Sequence, residues 1–193
     1  MPAVRGGWFL FTVSDSVHIR APIERCFLLA TDIGLVSETL GVRPVAGKIA
    51  GKAVGGDRIV WRGWILGLPQ THESLITRYE RPAFFQDTMV RGRFRRFQHD
   101  HQFIEIDGQT LLIDRMRFSL PLGVLGRIAG RQLLVPYIAK WLRRRLTRLK
   151  HVAEGEEWRT YLDQSGLAGQ QVSGSASQLV SVGNTDSLTR WTC

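Results

Sequence analysis

The residues best suited to chemistry stand together in one run, Gln98-His99-Asp100-His101-Gln102, bounded by Phe97 and Phe103. Side chains alternate across a β-strand, so His99 and His101 share a face with Phe97 and Phe103 while Asp100 points to the other. Histidine changes charge near neutral pH and binds metal ions through either ring nitrogen. Two on one apolar face can transfer protons, form the polar lining of a ligand cavity, or supply two metal ligands. A catalytic zinc site needs a third protein ligand and a structural site a fourth, and His72 is the nearest candidate for the third. The spacing does not complete such a set, so neither a metal nor a cofactor is expected. Histidines satisfied by ordinary core or solvent contacts account for the same pattern.

The acidic candidates are Glu73, Asp87, Asp100, Glu105 and Asp114. Two carboxyls across a cavity can do acid/base work, but the sequence places no two of these together. Pairing of Asp87 and Asp114 with Arg91, Arg93, Arg95, Arg115 or Arg117 is the simpler reading. Asp114 stays beside His99 and His101 as a candidate proton-transfer group. Arg91-Gly92-Arg93-Phe94-Arg95-Arg96 mixes basic and aromatic residues as single-strand nucleic-acid patches do, although a basic hairpin turn explains it equally. The chain has no Gly-rich phosphate loop, CxxC pair, HExxH or nucleophile elbow, and the enzyme classes those motifs mark are excluded.

The elements that must hold these residues are legible from periodicity. Phe9, Phe11, Val13, Val17 and Ile19 alternate with polar residues and predict a half-buried first strand. Ala21-Pro22 ends it, and proline suits a first helical turn because its missing N–H had no intrahelical partner. A short helix carrying Phe27, Leu28 and Ala30 follows, then a second from the capping residue Asp32 through Leu40 to Gly41. Turn signals then mark strands over Arg58–Leu66, Gln70–Tyr79, Phe84–Arg91, Arg95–Ile106 and Gln109–Leu120, with Asp107-Gly108 the sharpest hairpin. Such tight connections make neighbouring strands antiparallel. Beyond Pro121, apolar residues from Leu125 through Leu149 recur at helical spacing, and Pro136 should kink or split that helix. Gly and Ser dominate residues 165–187, so a flexible tail is expected over 159–193, leaving one domain over 1–158.

Net charge is +9, with 193 residues and a 44% hydrophobic share that support one ordinary core. Between Arg127 and Lys150 stand eight basic residues and no acidic one. A solvated helix face is one reading; contact of Arg143, Arg144, Arg145 and Arg148 with anionic lipid is another, and nucleic acid is the least favoured. Cys26 and Cys193 do not make a disulfide framework. The N-terminal apolar stretch is too short for a signal peptide and none spans a membrane, so a cytoplasmic location is expected.

The opening Val17-His18-Ile19-Arg20-Ala21-Pro22-Ile23-Glu24-Arg25-Cys26-Phe27 resembles the strand, Ala-Pro, x-Glu-x-x-Phe start of the SRPBCC superfamily of polyketide cyclase/dehydrase and START-like domains. Phe85 through Leu122, with Met89-Val90-Arg91-Gly92, the histidine run, Asp114-Arg115 and Leu120-Pro121-Leu122-Gly123, resembles a bacterial cyclase/dehydrase-like group within it. The resemblance spans roughly residues 8 to 153. It implies an α+β helix-grip fold, a curved antiparallel sheet of about six or seven strands around a long C-terminal helix, with two short helices after the first strand. It also implies a cavity between sheet and helix. Its wall is expected from Trp61, Phe85, Met89, Phe97, Phe103, Met116 and Phe118 with His99, His101 and Asp114, and Ile113 is taken as a cavity position too. Binding or carrying a hydrophobic molecule, whether lipid, isoprenoid or polyketide-like, is the function implied first. A cyclase or dehydratase using His99, His101 or Asp114 is the alternative, and a peripheral membrane module a third.

Overall fold

The computed structural model describes residues 9–121 and 123–162. Its first strand, β1 (Leu10–Ile19), buries Val13 and Ile19 and turns Thr12, Ser14, Ser16 and His18 to solvent. Two helices follow, α1 (Ile23–Thr31) and α2 (Ile33–Leu40). Asp32 joins them: its carboxylate accepts the Leu35 N–H at 2.8 Å as a helix cap, and its other oxygen holds Lys52 Nζ at 2.6 Å. Gly41 ends α2 with φ 62°, a left-handed position that costs glycine least.

The strands β2 (Arg43–Gly47), β3 (Arg58–Ile65), β4 (Leu68–Glu80), β5 (Phe84–Arg91), β6 (Arg96–Ile106) and β7 (Gln109–Ser119) complete a seven-stranded antiparallel sheet in the order β1-β7-β6-β5-β4-β3-β2. The Asp107-Gly108 turn has φ 51° and 74°, the paired positive values that match strand twist. β4 starts two residues earlier than its alternation predicts, at Leu68, and so contains Pro69. The proline is tolerated because β4 gains its β5 neighbour only from Glu73 onward, which leaves one edge of the strand open at Pro69.

The C-terminal helical run lies against the concave face as α3 (Gly123–Ala129), a π-helical turn (Gly130–Leu134) and α4 (Val135–Glu154). The irregularity expected at Pro136 takes the form of that turn. Pro136 offers no N–H to the carbonyl of Gln132 and its ring crowds it; widening the preceding turn, with Val135 N–H bonded to Gly130 O, relieves the crowding. Gly130 also permits close approach, since a Cβ there would stand 2.5 Å from the Phe11 ring. α4 buries Ile138, Leu142, Arg145, Leu146, Leu149 and Val152, one stripe at spacings of three and four. The chain continues into α5 (Trp158–Leu162), which packs on α1. A boundary at residue 158 therefore falls inside a helix; the rest of the expected tail, 163–193, lies outside the described residues. No helix among the described residues is long and apolar enough to cross a membrane.

The core divides into two buried clusters. The larger joins α1, β1, β5 to β7 and α4 around Phe27, Leu112, Phe118 and Leu149; the smaller consists of Ile33, Ala53, Ile59 and Ile76. A cavity lies between them.

Candidate functional site

The cavity takes its walls from both clusters: Ile33, Ile59 and Ile76 on one side, Phe85, Met116 and Ile138 on the other, with Trp61, Phe97, Tyr137 and Trp141 completing an aromatic lining. The space a water molecule can reach inside it is about 160 Å³, many times what one buried water needs. One end is polar, formed by His72, Asp87, His99, His101 and Arg145.

Strand register builds that end. Asp87 stands opposite His99 and Phe85 opposite His101 across β5 and β6, while His101 stands opposite Asp114 and His99 opposite Met116 across β6 and β7. All are inward positions, so alternation sends Asp100 outward to Gln86, Gln98 and Arg117. His101 Nδ1 lies 2.8 Å from Asp114 Oδ1, and Arg145 Nη1 donates to Asp114 Oδ2. Arg145 reaches across from α4 and also donates to the Ala30 carbonyl at 3.4 Å. His99 Nε2 comes within 3.4 Å of Asp114 Oδ2 but is not aligned for a hydrogen bond. Asp87 Oδ2 lies 3.7 Å from His99 Nδ1 and 3.5 Å from His101 Nε2. The Phe85 ring stacks on His101 at 4.0 Å and fixes its plane.

Burial sets the electrostatics. Asp114 has 0% and Arg145 3% of its surface exposed, and a charge buried so deeply persists only when paired. Burial pushes the Asp114 carboxyl up, but His101 and Arg145 outweigh it and hold the group well below the usual carboxylate range. Burial also opposes ionisation of Asp87; its contact with His101 and the nearby histidines wins and lowers it. His99 is driven down to about 4, first by burial and then by His101, with the two aspartates opposing. Burial likewise lowers His72, opposed by Asp87. The cavity thus ends on neutral His99, His101, the Asp87 carboxylate and the Arg145 guanidinium, with the Asp114 carboxylate behind them.

Residues 11–154 match the model of the family described as polyketide cyclase / dehydrase and lipid transport. The chain belongs to that family. Solved structures carry the same fold: the ZhuI aromatase/cyclase from Streptomyces sp. R1128 (14% identity, 80% of this chain and 98% of that one, TM-score 0.62), TTHA0849 from Thermus thermophilus (20%, 72% and 94%, 0.58) and a START superfamily protein from Mycobacterium smegmatis (17%, 72% and 98%, 0.52). No curated protein matches the chain. Membership of the polyketide cyclase / dehydrase and lipid transport family, with the seven-stranded sheet and long C-terminal helix, makes the helix-grip architecture plain.

Within that family fold the expected wall residues separate. Trp61, Phe85, Phe97, His99, His101 and Met116 line the cavity. Asp114 sits behind the two histidines as their partner. Phe103 and Phe118 are packed core instead, Phe103 against Phe27 and Phe118 against Phe11 and Phe94. Met89 is half-buried beside Gly92 and is not among the lining residues. Ile113 falls on the outer face, one residue out of phase with Leu112, Asp114 and Met116. For Asp114 and Asp87 the sequence suggested neighbouring strand arginines; among the described residues their contacts are others. Their partners are Arg145 and the histidines.

Arg145 is the residue whose place sequence reasoning misses. Charge alone groups it with Arg143, Arg144 and Arg148 as lipid-facing, yet it is buried, and Arg148 is tied to Glu38 and Glu157. Arg143 and Arg144 remain exposed, Arg143 beside Asp15. The available signal is phase: Leu142, Arg145 and Leu149 are three and four apart on one stripe, so Arg145 shares the apolar face.

Proposed function

We propose that this protein binds and carries a hydrophobic small molecule with one polar end, of the lipid, isoprenoid or polyketide-like kind. The observation that carries the reading is the cavity itself: aromatic and aliphatic walls together with a polar cluster of buried His99, His101 and Arg145 and half-buried Asp87. Apolar walls supply affinity through removal of apolar surface from water, and a few convergent polar groups set orientation. The family description names lipid transport, which agrees.

One observation favours a second reading, proton transfer in a cyclase or dehydratase. His101 lines the cavity and is held at Nδ1 by Asp114, a histidine–aspartate pair that can relay a proton to or from a bound carbonyl compound. Gentle native mass spectrometry of freshly purified protein, with extraction of what is bound, separates the two. A retained lipophile recovered unchanged supports carriage. A compound that is consumed, with loss of turnover in His101→Gln, supports catalysis. Protein that carries no ligand and takes up no hydrophobic probe refutes both.

A further inference from the structure

Two histidines and a carboxylate converge at the polar end of the cavity. Asp87, His99 and His101 each bring one donor atom within 4.8 Å of the other two. The Asp87 Oδ2 separations are 3.7 Å to His99 Nδ1 and 3.5 Å to His101 Nε2. An ion with bonds of about 2.0–2.2 Å holds neighbouring ligand atoms about 3–3.5 Å apart; the His101 separation from Asp87 falls in that range and the His99 separation lies 0.2 Å beyond it.

The contacts around the cluster orient its donor atoms. Asp114 as a carboxylate can only accept, so His101 Nδ1, 2.8 Å away, is the donor. The other ring nitrogen of His101, Nε2, faces Asp87 Oδ2 at 3.5 Å. His99 stands between the same two carboxylates, Nε2 toward Asp114 and Nδ1 toward Asp87. Its Nε2 is buried without a hydrogen-bond partner among the described residues. Asp87 Oδ2, His99 Nδ1 and His101 Nε2 thus converge on one point, where a shared cation satisfies all three. The surroundings suit one: a carboxylate behind a ligating histidine fixes its tautomer and strengthens it as a ligand, and Arg145 balances the charge of Asp114. Two nitrogens with one carboxylate oxygen match first-row divalent transition metals rather than magnesium or calcium, which take oxygen.

The geometry points to a binding site for one divalent transition-metal ion, held by Asp87, His99 and His101 at the polar end of the cavity. All three residues line the cavity, so an oxygen of the bound molecule can take a coordination position that three ligands leave open. Only that last point rests on the ligand-carrier reading; the ion site stands independently of it.

Cobalt(II) added to chelator-treated, dialysed protein tests the site directly. One equivalent should bind and develop visible d–d bands, and the ring protons of His99 and His101 should show paramagnetic shifts in the unaltered protein. Asp87→Asn and His99→Gln should each weaken binding at least about tenfold, and Asp114→Asn about 10–100-fold. His151→Ala, at an exposed position, should change nothing. Near-ultraviolet circular dichroism checks that each variant is folded, and the paramagnetic shifts need no variant. The proposal is overturned if cobalt binds without shifting those two rings, if the His151 variant removes binding, or if no band develops. Binding of a hydrophobic probe to the chelator-treated protein is scored separately, so loss of the metal site and loss of the cavity reading give different results.

Discussion

Asp114 shows how a single buried charge can determine a site. Its desolvation is unfavourable, and Arg145 with His101 offsets it. Removing one member of such a pair leaves the other uncompensated, at about 3–5 kcal/mol, whereas replacing both is often close to neutral. Urea unfolding should therefore show Arg145→Met losing about that much, with the Asp114→Leu/Arg145→Met double variant regaining a large part; equal losses would contradict the pairing. His99 gives a second expectation. Its folded value is about 4 against an ordinary 6.5, so the unfolded chain binds the extra proton between those limits. Its contribution is full above pH 6.5 and lost as pH falls toward 4, roughly 3 kcal/mol in all. Unfolding followed over that range in chelator should show a shallower slope for His99→Gln; parallel curves would remove His99 from the account. At this scale the sequence revealed the histidines, because alternation alone puts His99 and His101 on one face. It did not reveal their partners, since Asp87, Asp114 and Arg145 come from three other elements and meet only through register and helix packing.

Elements were the most legible level. The strands from β3 to β7 are bounded by the Gly, Pro or Asp-Gly signals that predicted them, except that β4 takes in Leu68 and Pro69 of its own signal, and Asp32 and Gly41 delimit α2 as capping chemistry requires. What periodicity could not show was α5, whose five residues are too few for a stripe. Its hold is tertiary: the Tyr161 hydroxyl donates to Glu38 at 2.6 Å, the Tyr161 carbonyl accepts from Lys52 Nζ at 2.8 Å, and Arg25 stacks on Trp158 at 4.3 Å. A chain ending at residue 157 should thus melt several degrees lower than one ending at 162, since about 1 kcal/mol corresponds to 2–4 °C in a domain of this size. The chain ending at 162 should melt with the full-length protein, the composition beyond it being Gly- and Ser-rich. Equal melting of the two shortened chains would show that α5 adds nothing.

For the molecule as a whole, the divided core is the feature on which the proposed function rests. A single packed core would join Ile33, Ile59 and Ile76 to Phe85 and Ile138; here the cavity separates them. The order of elements foretold such a cavity, but its outline depends on which inward residues abut α4 and which stop short. Phe103 and Phe118 pack, while Phe85, Phe97 and Met116 leave room, and no pattern of residue types distinguishes them.

Met116 and Leu112 provide the most direct test of that distinction. Both are inward residues of β7 with 0% exposure, but Met116 lines the cavity and Leu112 does not. Enlargement in a packed core costs about 1–3 kcal/mol through strain, whereas enlargement toward open space does not. The decisive measurement is hydrophobic-probe affinity with melting temperature for Met116→Trp against Leu112→Trp. A cavity that holds ligand predicts that Met116→Trp loses probe binding at nearly unchanged melting temperature, while Leu112→Trp loses several degrees. If Met116→Trp is destabilised as strongly as Leu112→Trp, or binds the probe as the unaltered protein does, the cavity is not the binding site.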